Sequence, residues 1–150
     1  MIKKFRSSCL IASALDIIGD KWSLLIVRDM LLHHKKTFKE LVASDERVAT
    51  NLLSSRLKLL EALEMITKQK LPSNKKENIY LLTEKGISLA PLLMEIVVWS
   101  DQYVRKYHGD MNPHDSALNK TLMIERTQQN YRDFTQKVLV ECRSNRIVEP

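Results

Sequence analysis

Residues 38–63 read FKELVASDERVATNLLSSRLKLLEAL. Phe38, Leu41 and Val42 recur at helical spacing and predict a short helix. Ser44 to Arg47 is a charged turn. From about Ala49 to Leu63 the apolar positions Leu53, Leu57 and Leu60 share one helical face, with Leu52 and Leu63 on its edge. Two short helices joined by a small polar turn, the second longer and amphipathic, predict a helix-turn-helix.

The flanks extend the pattern. Ile11, Leu15 and Ile18 predict a helix over Leu10 to Ile18 that stops at Gly19. Trp22, Leu25, Ile26, Asp29 and Met30 predict a second, largely buried helix from about Lys21 to Leu32, and His33 to Lys36 form a polar break. Downstream, Ile66 to Leu71 alternates as a strand does, Pro72 to Glu77 reads as a turn-rich tip, and Asn78 to Leu82 as the returning strand. Thr83 starts a helix that runs to about Tyr107, with Pro91 expected to kink it or break its first turn. His108 to Ser116 reads as a linker, and Leu118 to Cys142 resumes as a helix.

The chain has 150 residues, room for one domain and an appended element. With only 3 Gly and 4 Pro, tight turns are few and helix should dominate. No apolar run reaches the roughly 20 residues needed to span a bilayer, and no signal peptide is legible, so the cytoplasm is the expected location. Cys9 and Cys142 lie near opposite ends and suggest neither a disulfide framework nor a metal site. The net charge is +6, and all of it falls in residues 1–107, where 18 Lys and Arg face 12 Asp and Glu; residues 108–150 carry 6 of each. Excess cation of this kind suits a polyanionic partner, because neutralising phosphates releases counterions.

The order helix, helix, helix-turn-helix, hairpin, long helix predicts a mainly α fold with a small β-hairpin, a winged helix. Particular residues carry a closer likeness. Cys9 to Trp22, with its interval from Cys to Lys-Trp, resembles the opening signature of HxlR-type bacterial regulators. The likeness continues through Leu24 to Leu32, Phe38 to Leu41, Val48 to Leu57 and Tyr80 to Gly86, with Pro91 and Trp99 beyond, and so covers about residues 9–107. Leu10, Arg47 and Glu64 depart from it, standing where the family commonly has Pro, Gly and Gly. The resemblance implies a homodimeric winged-helix regulator that binds operator DNA. It sets a domain over 9–107; beyond it the residue pattern alone predicts a linker over 108–117 and a helix over 118–143, expected to serve, with the N-terminal helix, as a dimerisation element.

Opposite the leucine face of the 49–63 helix stand Asn51, Ser54, Ser55 and Lys58, residue types that bond base edges and phosphates. Thr50 suits either a cap or a phosphate contact. Arg56 falls beside the apolar face, where a structural role with an acidic partner competes with phosphate contact. Lys75 and Lys76 at the hairpin tip, and Lys68 and Lys70 along its first strand, are candidate wing contacts to DNA. Trp22 and Trp99 belong to apolar faces and suit core or dimer packing. His33 and His34 are adjacent on a turn and make a poor chelate, so no metal or cofactor is expected. The acidic residues scatter, with no phosphate-cradling Gly-rich loop and no nucleophile elbow, so enzymatic activity is not expected.

The reading is therefore a sequence-specific regulator that binds a pseudo-palindromic operator as a dimer. Two rivals stand beside it. One is a thiol-sensing regulator acting through Cys9, whose place at a helix start can lower a thiol pKa; the resemblance includes members that sense oxidants at this position. The other is a winged helix used only to bind protein. The effector, small molecule or redox, is left open. The stripe Leu118, Leu122, Tyr131, Phe134 and Val138 must be buried, and a symmetry mate is its expected cover.

Overall fold

Leu53, Leu57 and Leu60 are no more than 2% exposed, and the remaining elements are arranged around them. The structure is a computed structural model that describes residues 4–71, 74–115 and 119–144. Helices α1 (Leu10–Ile18), α2 (Ser23–His33), α3 (Phe38–Val42) and α4 (Thr50–Ala62) lead into strands β1 (Ile66–Leu71) and β2 (Asn74–Leu82). Helices α5 (Glu84–Ile87), α6 (Ala90–Tyr103) and α7 (Lys120–Ser144) follow, with a 3-10 turn at Arg105–Tyr107.

Each start has a local cause. Asp20 precedes α2 and accepts from the Trp22 and Ser23 backbone N–H groups at 2.9 and 3.0 Å. Thr37 and Glu40 form a reciprocal capping box at α3, with Thr37 Oγ1 accepting from the Glu40 N–H and Glu40 Oε2 from the Thr37 N–H. Thr83 caps α5, and its hydroxyl also donates to the Glu64 carbonyl at 2.7 Å. Gly86 in that turn lies so close to β1 that a Cβ would sit 2.3 Å from the Met65 carbonyl oxygen.

Two boundaries differ from the sequence expectation. The helix predicted over Thr83 to Tyr107 is broken into α5 and α6, because Pro91 occupies the first turn of α6, where its missing N–H costs nothing. The predicted tip at Pro72 to Glu77 is mostly strand, since β2 begins at Asn74; Pro72 and Ser73 lie outside the described residues.

The hairpin is antiparallel, with Ile66 opposite Leu82, Lys68 opposite Tyr80 and Lys70 opposite Asn78. The register then slips, so that Leu71 faces Asn74 and the three residues Lys75 to Glu77 bulge from β2. A bridge from Thr37 to Ile79, and a bond from the Tyr80 N–H to the Lys36 carbonyl at 2.7 Å, attach the hairpin to the end of α2.

Helix α7 lies on its own domain. Tyr131 is fully buried, Val138 and Cys142 are 5% exposed, and Ile124 and Phe134 pack on the core. Intrachain contacts cover Tyr131, Phe134 and Val138, which corrects the expectation that a symmetry mate covers them. The physical reason is the aromatic and apolar seat that α2 and β2 present. Phe134 stacks on His34 with ring centroids 4.5 Å apart, and Val138 meets Ile79 and Leu81. Leu122 is exposed, and Leu118, with Ser116 and Ala117 of the expected linker, lies outside the described residues.

Apolar surface is left over elsewhere. Leu10, Ile11 and Leu15 on α1 are exposed, as are Leu92, Ile96, Trp99 and Tyr103 on α6. Trp22, by contrast, is half-buried against the core.

Candidate nucleic-acid interface

Helix α4 buries its leucines and turns Asn51, Ser55 and Lys58 to solvent, with Ser54 half-buried beside them. Spacings of four and three residues place Asn51, Ser55 and Lys58 on one outward face. Thr50 is exposed as the first helical residue; the N-cap is Ala49, and no side chain caps this end. The capping alternative for Thr50 is therefore not realised, because the residue stands one position too far into the helix. Asn51 Oδ1 accepts from the Leu52 N–H at 2.9 Å.

Buried electrostatics hold α4 in place. Arg56 Nη1 lies 3.3 Å from Asp20 Oδ2, an acidic partner at the start of α2. Burial alone would raise the Asp20 carboxyl, but bonds from Ser23 and Trp22 and the Arg56 charge bring it below its ordinary value. A denser cluster sits under the turn between α3 and α4. Asp29, 2% exposed, accepts from Arg28 Nε and Nη2 at 2.9 and 2.6 Å and from Lys35 Nζ at 2.9 Å. The Ser44 hydroxyl donates to Asp29 and accepts from Lys35. Arg28 also forms a two-pronged pair with Glu46 at 2.6 and 2.9 Å, clamping α2 to the turn. Burial would raise the Asp29 carboxyl, yet bonds from Ser44, Lys35 and Arg28 hold it lower. Sequence reasoning counted Asp29 among buried positions without finding these partners; a carboxylate amid Ile26, Val27 and Met30 was the available signal.

Helix α4 is flanked by two unusual backbone conformations, at Arg47 (φ 55°) before it and Glu64 (φ 58°) after it. These are two of the positions that depart from the family pattern, where glycine would be relaxed.

On the hairpin, residues directly opposite share a face. Lys68 with Tyr80, and Lys70 with Asn78, form the face toward α4, while Thr67 with Leu81 and Gln69 with Ile79 form the other. Tyr80 is raised chiefly by burial and then by the Glu61 charge. Lys68, Lys70, Lys75 and Lys76 are all exposed. Lys75 and Lys76 ride on the bulge of β2 rather than on a loop.

Cys9 is exposed and stands at the N-cap of α1, its N–H donating to Ser7 Oγ at 3.2 Å; Cys142 is buried under the hairpin. His34 ends α2 in a left-handed conformation, and its ring is spent on Phe134; burial, then His33, lowers its pKa. Among the described residues no His, Cys, Asp and Glu cluster could hold a metal ion.

Comparison with known proteins bears on this geometry. The sequence pattern of a family described as HxlR-like helix-turn-helix matches residues 17–108. The chain is 36% identical over 91 residues to the HTH-type transcriptional regulator YodB of Bacillus subtilis (strain 168), covering 61% of this chain and 80% of that one. Among solved structures, PA1607 superposes with a TM-score of 0.60 at 34% identity, covering 76% of this chain and 74% of that one. The reduced form of the transcriptional regulator YodB gives 0.53 at 33% identity, covering 65% and 95%. YodB has also been solved quinone-bound and diamide-treated.

Proposed function

The chain belongs to the HxlR-like helix-turn-helix family of transcriptional regulators, which are not enzymes, and from that premise we propose that it binds double-stranded DNA as a homodimer. The observation that carries this reading is a pair of exposed polar surfaces on neighbouring elements. The outward face of α4 carries Asn51, Ser55 and Lys58, and the hairpin, whose first strand packs on α4, exposes Lys68 and Lys70.

In this reading α4 enters a major groove, with Asn51, Ser54, Ser55 and Lys58 toward the base edges and Thr50 toward a phosphate. Lys68, Lys70, Lys75 and Lys76 follow the flanking backbone. Arg56 serves the protein's own architecture through Asp20. The exposed apolar faces of α1 and α6 supply the dimer contact. A two-fold dimer reads a pseudo-palindromic site whose halves are spaced by whole helical turns. No helix among the described residues is long and apolar enough to cross a membrane, and the proposed place of action is the cytoplasm.

Footprinting on the DNA upstream of its own gene, repeated over a salt series, tests this. Protection that weakens steeply with salt is expected. Absence of any protection would favour a protein-interaction module.

The exposure of Cys9 at the start of α1, together with the quinone-bound and diamide-treated forms of YodB, favours a second reading in which an oxidant or electrophile at Cys9 releases DNA. Release by diamide that persists unchanged in Cys9→Ser would exclude it.

A further inference from the structure

A hairpin that did nothing but reach toward DNA would leave its outer face wet. Here the β2 half of that face is dry, while Thr67 of β1 stays exposed. Ile79 and Leu81 are 0% and 2% exposed, and Val138 and Cys142 of α7 cover them, while Lys68 and Lys70 occupy the opposite face. We propose that α7 is a brace that sets the angle of the wing to α4, so that the tail governs DNA affinity through the wing without itself touching DNA. The proposal rests on the DNA-binding reading above.

The brace is anchored through one turn in the middle of α7, residues 131–134. Tyr131, fully buried, accepts a hydrogen bond from the Leu82 N–H at 2.8 Å, at the base of the hairpin where Leu82 pairs with Ile66. Phe134 stacks on His34 at the end of α2, two residues before the Lys36 carbonyl that receives the Tyr80 N–H. Arg132 forms a two-pronged pair with Glu84 at 2.9 and 2.9 Å, just past the hairpin. One helix thus ties α2, the hairpin base and α5 together. A two-stranded hairpin has little stability of its own in water, so its orientation comes from what packs on it. The family match ends at residue 108, so the brace lies outside the matched unit.

Tyr131→Phe removes the acceptor with little change of shape, and Val138→Ala thins the apolar cover. Both are to be measured on a duplex made from the DNA upstream of the protein's own gene. Each is expected to weaken binding roughly 2- to 30-fold, the range for residues that touch neither partner directly. Sedimentation should show the same association state as wild type. The deciding readout is a double-mutant cycle. The loss should merge with that of Lys68→Ala plus Lys70→Ala, because both act through the wing, and should add to that of Asn51→Ala. Amide exchange in the free protein should quicken over Ile66–Leu71. Should Val138→Ala fail to fold, Tyr131→Phe carries the cycle alone. Unchanged affinity, or a loss that adds fully to the wing-lysine loss, would overturn the brace and leave DNA binding standing. Failure of wild type to bind the duplex would instead overturn the DNA-binding reading, and the brace with it.

Discussion

Arg47 and Glu64 hold left-handed backbone at the two ends of the α4 module, a conformation that costs a side-chain-bearing residue about 1 kcal/mol relative to glycine. Arg47→Gly and Glu64→Gly should each stabilise the fold by about 0.5–1 kcal/mol, less whatever glycine returns to the unfolded chain. Thermal melting checks this, and a lowered Tm in both variants would show that the native side chains hold these turns by contacts of their own. Asp29 makes the opposite case. Asp29→Asn leaves Arg28 and Lys35 around an uncharged centre and should cost about 3–5 kcal/mol at neutral pH. The pH dependence follows in sign. The Asp29, Asp20 and Glu40 carboxyls are all lower in the fold than in the open chain, each despite burial and because of its hydrogen bonds. Their stabilisation is complete above the ordinary carboxylate range and drains as pH falls through the folded values. Urea midpoints against pH should show this acid limb, shallower in Asp29→Asn; identical limbs would remove Asp29 from the account.

For the helices and strands, the polar face of α4 makes its own prediction. Asn51→Ala and Lys58→Ala should weaken binding to the upstream duplex, by about 1–3 kcal/mol for a residue that reads a base, with thermal unfolding almost unchanged. Wild-type affinity in both would remove this face from the interface. That face was readable beforehand, because Leu53, Leu57 and Leu60 leave only one side of a helix for Asn51, Ser55 and Lys58. The hairpin was readable from the alternation Ile66 to Leu71, but not its length. Three residues of bulge at Lys75 to Glu77 hide the returning strand from a period-of-two reading. Pro91 was recognised as a break, yet whether a proline kinks a helix or starts one depends on the turn before it. Here α5 has already ended at Ile87, and Pro91 stands in the first turn of α6. The hydrogen bond from Ser44 to Asp29 and the ion pair of Asp20 with Arg56 depend on tertiary approach across 15 and 36 residues, and no local pattern encodes them.

In the molecule as a whole, the same limit explains the tail. An apolar stripe announces that it will be covered, and its pattern is identical whether the cover is its own domain or a second copy. Tyr131 and Val138 chose their own domain, and among the apolar residues still in water are those of α1 and α6. Leu15→Asp places a charge in that surface without touching the α4 face. It should shift the molecule toward monomer and weaken binding to a two-half-site duplex, with the fold retained. Analytical ultracentrifugation decides; an unchanged dissociation constant would exclude α1 from the contact.

The two indoles offer an optical consequence. Trp22 is half-buried, with Lys21 Nζ 5.3 Å from its ring centroid, whereas Trp99 on α6 is 59% exposed beside Tyr103. A wet indole emits at longer wavelengths than a dry one, so the colour of Trp99 emission reports whether the α6 face is covered. In Trp22→Phe the spectrum should move to the red on dilution as protomers part. In Trp99→Phe the remaining emission should ignore dilution altogether. A Trp22→Phe spectrum constant across the dilution range in which sedimentation records dissociation would mean that Trp99 keeps its solvent in the assembled state.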